Sequence, residues 1–169
     1  MIPALLARKF DTIIASMSIT EERKKKIDFT VKYYNTPAKL VAKKDAGFAG
    51  TAAGLDGKRL GVQRATTHQC SAEKLYPGAE LVLYGTQEEV WQDLAAGRLD
   101  AQLSDSLQAY EGFLALDAGK DFDFLGGAID DIECQGVGAG FAVRKEDSAL
   151  RDALSRVILN IRADGAYKA

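Results

Sequence analysis

Through the middle of the chain, short apolar runs alternate with segments of helical spacing. Leu60 to Gln63, Glu80 to Tyr84, Leu99 to Leu103 and Phe122 to Leu125 read as strands. Between them, Thr67 to Leu75 and Ser106 to Leu114 read as helices. A third helix opens at Thr86 with a capping box to Glu89, and Val90, Trp91 and Leu94 fall on one of its faces. Strands and helices alternating at this spacing predict a parallel sheet with crossover helices, an α/β unit compact in its own right. Further on, Leu150, Leu154, Val157, Ile158 and Ile161 form one apolar stripe over 148–162. Asp147 stands where that helix needs a cap, and Asp164-Gly165 ends it.

The first third is less regular. Pro3 to Lys9 has the look of a helix tail, because no capping residue precedes it. Thr12 to Ala15 is a short strand, Thr20 to Lys26 a short helix with Thr20 as N-cap, and Ile27 to Val31 extended. Tyr33 to Pro37 is a turn, since Pro37 disfavours helix at the residue before it. Ala38 to Lys44 is another strand, and Asp45 to Gly57 is a loop by its four glycines.

Composition narrows the function more than the fold. The chain has 169 residues, room for one domain or two small ones, with 47% hydrophobic and 27% charged positions. Its formal charge of -2 and the lack of a basic tract argue against a nucleic-acid groove. No apolar run reaches bilayer length, and Met1 to Leu6 is too short for a signal peptide before Arg8 and Lys9. Cys70 and Cys134 are compatible with two free thiols or one bridge. His68 and Cys70 lack a second pair of ligands, so no metal is expected. No cofactor is expected either. Gly136-Val137-Gly138-Ala139-Gly140 lacks the dinucleotide spacing, and Gly57-Lys58 lacks the remaining residues of a phosphate loop.

In α/β sheets, ligands gather where strands end and helices begin. Three polar stretches have that position: Ser16 to Arg23, Arg64 to His68, and Ser104-Asp105. Arg23 lies in the first turn of its helix, the wrong end for a cation, which suggests a partner anion. The structural alternatives are a surface Arg23 paired with Glu22 or a distant acid, Thr66 or Thr67 as an N-cap, and Asp105 as another. Taken together, the residues suit a zwitterion, with its carboxylate on Arg23 and its ammonium on Asp105. Asp130, Asp131 and Glu133 read as a solvated loop. No nucleophile–base pair is visible, so no catalysis is expected.

The run Ala15 to Arg23, then Ile27-Asp28-Phe29 and Tyr33-Tyr34, resembles the polar amino-acid solute-binding proteins of ABC importers. Gly61 to Thr67, Leu94 to Ala101, Asp105 and Ile161 to Gly165 carry the same resemblance, most of all to the histidine- and lysine/arginine/ornithine-binding branch. It implies a periplasmic-binding-protein type II fold: two α/β lobes joined by two crossing strands and closing on an amino acid. By that likeness Arg23 grips the α-carboxylate, Ser16 and Ser18 contact the ligand, and Ala15 replaces a serine. Thr66 is a second carboxylate contact, Thr67 and His68 occupy neighbouring contact positions, and Asp105 holds the α-ammonium. The lobes would be 1–44 with 138–169, and 45–137. A periplasmic location and a permease partner are implied for the full-length protein. The same fold also resembles cyclohexadienyl dehydratases, which act on prephenate or arogenate, with His68 the one histidine to serve there.

The resemblance also implies an incomplete first lobe. The family's opening strand, helix and second strand, which carry the aromatic wall and the reader of a basic side chain, have no counterpart before Met1. The expected consequences are weak or absent amino-acid binding and a bare apolar edge at Thr12 to Ala15, which favours a homodimer or exchange of elements between copies.

Overall fold

The computed structural model describes residues 1–35, 37–129 and 131–168. Thr36, in the expected turn, and Asp130, in the expected acidic loop, lie outside the described residues. The chain divides into two compact units, 36–134 and 1–35 with 135–169.

In the unit 36–134, β2 (Ala38–Lys43) lies antiparallel between β5 (Ala101–Asp105) and β6 (Phe122–Ile129). On the other side of β5, β3 (Arg59–Gln63) runs parallel to both β5 and β4 (Glu80–Tyr84). The strand order is β4-β3-β5-β2-β6. The expected parallel sheet is therefore mixed. Parallel neighbours need a crossover, and α3 (Thr67–Leu75) and α4 (Gln87–Ala95) supply two; β2 enters antiparallel and needs none. Its two ladders place β2 inside this unit.

Alternating side chains of the sheet build two cores. Leu40, Leu60, Val62 and Leu103 face Ala72 of α3, while Val41 lies on the other face with Val90 and Leu94 of α4 and with Leu99, Phe113 and Phe122. Gly61 lets α4 come close, since a Cβ there would sit 2.3 Å from Leu99 and 3.0 Å from Val90. The capping box of α4 forms: Thr86 Oγ1 accepts from the Glu89 N–H, and Glu89 returns the bond at 3.0 Å. The expected strand at 99–103 starts two residues later, because Asp100 turns its carboxylate onto the Arg59 N–H at 2.8 Å. The helix expected over 106–114 is α5 (Ser106–Ala109) followed by a π-helical turn, Tyr110–Leu114.

Cys70 and Cys134 are joined by a disulfide, with Cα atoms 5.6 Å apart, which resolves the two alternatives for the cysteines. Asp131 is not solvated as the sequence suggests: it is 6% exposed. Lys74 bridges its Oδ1 at 2.8 Å and Glu133 at 2.7 Å, and Ser71 donates to its Oδ2. Burial pushes the Asp131 carboxyl up, but Lys74, the Cys134 N–H and Ser71 outweigh it and hold it below its ordinary value of 3.8. A carboxylate depressed on folding contributes stability that is complete above the unfolded value and lost as pH falls through the folded one. Stability followed by circular dichroism is therefore expected to fall as pH drops through and below the ordinary carboxylate range, and Asp131→Asn to flatten that limb. An unchanged acid limb in the variant would exclude this contribution.

In the unit of 1–35 and 135–169, β1 (Asp28–Phe29) pairs antiparallel with β7 (Ala142–Val143). Leu5 of α1 (Ile2–Leu6) packs with Ile13, Met17, Ile27 and Ala142. The strand expected at Thr12 to Ala15 reduces to one bridge, Ile13 to Ala142, with no ladder. In α7 (Ser148–Ala163), Ile158 is 1% exposed, whereas Val157, assigned to the same stripe, is 55% exposed. Asp147 stands at the N-cap position of α7 but does not cap it; its carboxylate instead meets buried Arg144 at 2.6 Å.

Candidate functional site

The sequence-predicted residues fall into two groups, one in each unit. The first is Ser16, Ser18 and Arg23. Thr20 caps α2 (Glu21–Lys24), its Oγ1 accepting from the Arg23 N–H at 3.2 Å. The Arg23 side chain doubles back, and Nη1 donates to the Ser18 carbonyl at 3.0 Å. Ser18 is itself bridged to Ala139, and the Ile19 N–H donates to Gly138 at 2.8 Å. The glycine run that fails as a dinucleotide motif thus has a packing role. A Cβ on Gly136, whose φ is +73°, would sit 2.1 Å from the Ile19 carbonyl oxygen, so glycine is what lets this run lie against the Ser16–Arg23 segment. With four residues, α2 has little dipole, and the guanidinium is the element here that can hold an anion.

Arg23 stands apart electrostatically. Every other buried or half-buried arginine among the described residues has a carboxylate: Arg59 has Asp100, Arg144 has Asp11 and Asp147, and Arg151 has Asp28 and Asp152. Arg23 is half-buried with no carboxylate partner among the described residues, and burial lowers its pKa. A cation partly stripped of water and left without a counter-ion is a site that an anion would stabilise. The alternative of pairing with Glu22 is excluded, since Glu22 pairs with Lys25 at 3.0 Å.

The second group is Thr66, Thr67, His68 and Asp105. Thr66 and Asp105 close neighbouring elements of the sheet, just after β3 and at the last residue of β5, where ligands of α/β sheets collect. Both are caps. Thr66 Oγ1 donates to the Gln63 carbonyl at 2.7 Å and accepts from the Gln69 N–H at 3.3 Å. Asp105 Oδ1 accepts from the Leu107 and Gln108 N–H groups at 2.9 and 3.0 Å. The cap reading is met at Asp105 through Oδ1. Thr67 is buried and His68 half-buried in the first turn of α3.

Sequence reasoning missed two side chains. The Ser16 N–H donates to the Tyr33 hydroxyl at 3.1 Å, and the Ala65 N–H to Gln69 Oε1 at 2.8 Å. Gln69 carried a signal: Thr66-Thr67-His68-Gln69 has capping-box spacing, though Gln69 reaches one residue beyond the cap. Tyr33, 17 residues from Ser16, stands in the sequence only within the Tyr33-Tyr34 part of the resemblance, with no local signal for this bond.

An open groove of about 660 Å³ in the unit of 1–35 and 135–169 is lined by Lys24, Asp28, Val31, Lys32 and Arg151 among others, and includes neither Ser16, Ser18 nor Arg23. Among the described residues, no cluster of three His, Cys, Asp or Glu is arranged for a metal, and no helix is long and apolar enough to cross a membrane.

Over residues 1–169 the chain matches the family described as bacterial extracellular solute-binding proteins, family 3. It is 48% identical to the L-arginine-binding protein of Pseudomonas aeruginosa, over 99% of this chain and 66% of that protein. Identity to the histidine-binding periplasmic protein of Salmonella typhimurium is 43%, over 99% of this chain and 65% of the other. The chain thus spans about two thirds of the length of these curated relatives. Among solved structures, an ancestral arginine-binding protein bound to arginine superposes with a TM-score of 0.88 at 31% identity, over 99% of this chain and 72% of that one. The holo ArgBP from T. maritima gives 0.84 at 33% identity, over 95% and 68%.

Proposed function

Because the chain belongs to the bacterial extracellular solute-binding proteins, family 3, we propose that it is an amino-acid-binding component of an ABC importer. The observation that carries this reading is Arg23, half-buried and without a carboxylate among the described residues. In it, Arg23 takes the ligand's α-carboxylate, with Ser16, Ser18, Thr66, Thr67 and His68 as further contacts, and Asp105 takes the α-ammonium. The names of the relatives, binders of arginine, of histidine and of lysine, arginine and ornithine, support a polar, basic amino acid as ligand. Two of those names also print a periplasmic location, which supports the same for this protein; an importer component of this kind would work with a permease. The dehydratase alternative finds no support in them.

Titration of the chain with L-arginine, followed by ¹⁵N spectra to millimolar ligand, tests the reading. Shifts at the Arg23 Nε and at the Asp105–Gln108 amides are expected; a spectrum that stays still at both would overturn it.

Asp105 allows its two roles to be separated. Asparagine caps a helix about as well as aspartate, so Asp105→Asn is expected to lose at most a few tenths of a kcal/mol of stability. Loss of the ionic contact is expected to weaken L-arginine binding roughly tenfold or more. Unchanged affinity in Asp105→Asn would take the ammonium role away from Asp105.

A further inference from the structure

Among the described residues, three non-glycine ones have left-handed backbones: Arg8, Ser16 and Ala65, with φ of +56°, +52° and +58°. Such a conformation costs an L-residue roughly 1–2 kcal/mol and persists where surrounding contacts enforce it. Arg8 is accounted for locally. It follows α1, and the bonds from the Arg8 N–H to Leu5 and from the Lys9 N–H to Ala4 form a Schellman ending. Ser16 and Ala65 end no helix. One opens the Ser16–Arg23 segment and the other immediately precedes Thr66.

At Ser16 the enforcing contact is long-range. Its N–H donates to the Tyr33 hydroxyl, and half-buried Tyr33 is itself held by several contacts. Its ring meets Tyr34 edge-on and Phe141 at a tilt, both at 4.7 Å between centroids. Its own N–H donates to Ala139 at 2.8 Å, and Ala139 also bridges Ser18. From the end of α7, Arg162 donates to the Tyr33 carbonyl at 3.2 Å, and the Tyr167 hydroxyl donates there too. A fixed phenol thus presents one acceptor to the N–H of a residue whose backbone would otherwise relax.

We infer that Tyr33 is a positioning residue, which holds Ser16 in its left-handed conformation and so sets how the Ser16–Ser18 backbone meets the ligand. Ala65, with its N–H on Gln69, repeats the device in the other unit. The inference rests on the amino-acid reading above for its ligand, but its conformational part stands without one.

Tyr33→Phe removes the acceptor and keeps the ring. In the ligand-free chain the Ser16 amide is expected to exchange with solvent several-fold faster, while the Tyr34 and Ala139 amides and the thermal midpoint stay as they are. L-arginine affinity is expected to fall roughly three- to tenfold, the worth of one hydrogen bond. In a Ser16→Gly background the substitution is expected to have no further effect, because glycine adopts φ near +52° unaided. An unchanged Ser16 exchange rate overturns the inference, as does a loss of equal size in the glycine background, which would make Tyr33 a packing residue. Failure of the amino-acid reading has a different signature: the unsubstituted chain does not respond to L-arginine, and the exchange comparison still decides whether Tyr33 holds Ser16.

Discussion

Alanine at position 23 is expected to remove most of the chain's affinity for an amino acid while leaving its fold in place. Arg23 donates to one backbone carbonyl, that of Ser18, and Thr20 caps α2 through the Arg23 backbone N–H, which alanine retains. Little of the native structure depends on the side chain. The guanidinium, by contrast, is half-buried and lacks a carboxylate among the described residues, so a ligand carboxylate would form its ion pair. Truncating one member of a desolvated, hydrogen-bonded charge pair costs roughly 2–5 kcal/mol, at least about 30-fold in affinity. Lysine is expected to recover little, because an ammonium cannot present two parallel donors to a carboxylate. Titration calorimetry on the wild type and both variants reads this directly, with thermal melts as the control for folding. Equal affinities across the three would take the carboxylate role away from Arg23.

The second large effect concerns stability. The disulfide joins residues 64 apart in sequence, and closing a loop of that length in the unfolded chain corresponds to about 4 kcal/mol in the chain-entropy account. Against a typical total of 5–15 kcal/mol, that is a large share for the unit it closes. Cys134 is buried and Cys70 exposed, so a reductant can reach the bridge from the α3 side. Urea unfolding with and without a phosphine reductant, repeated on a Cys70→Ser/Cys134→Ser chain, is expected to give a much lower midpoint in the reduced and the substituted forms. The Lys74 pairs to Asp131 and Glu133 join the same two segments and would remain. Their contribution is small at Glu133, which is 80% exposed, and larger at buried Asp131. Coincident midpoints with and without the bridge would exclude the predicted stabilisation.

Much of the fold was legible because its signals are local. The capping box at Thr86, the span of α3, the strands β3 and β4 and the long helix α7 depend on residues within a turn or two of each other. Where reading failed, a distant partner had intervened. Asp147 looked like a cap but serves Arg144, and Asp131 looked solvated but is drawn inward by Lys74 and Ser71. Val157 has stripe-like spacing yet faces out, because the packed face of α7 is narrower than the apolar pattern. The expected parallel sheet was half right: no local feature of β2 announces that it will pair antiparallel on both edges.

The sequence by itself determined most of the elements, the caps at Thr20 and Thr86, and the chemical types gathered at the strand ends. Those follow from spacing, since hydrogen bonds over two to four residues form wherever the chain turns. Only the tertiary structure decided that Arg23 is half-buried without a carboxylate among the described residues, that Tyr33 meets Ser16, and that the two cysteines are joined. Each of these depends on which distant segments the cores of Leu5 and Ile27, and of Leu40 and Leu103, bring within a few ångströms. Chain spacing does not encode that proximity; burial of the apolar faces creates it.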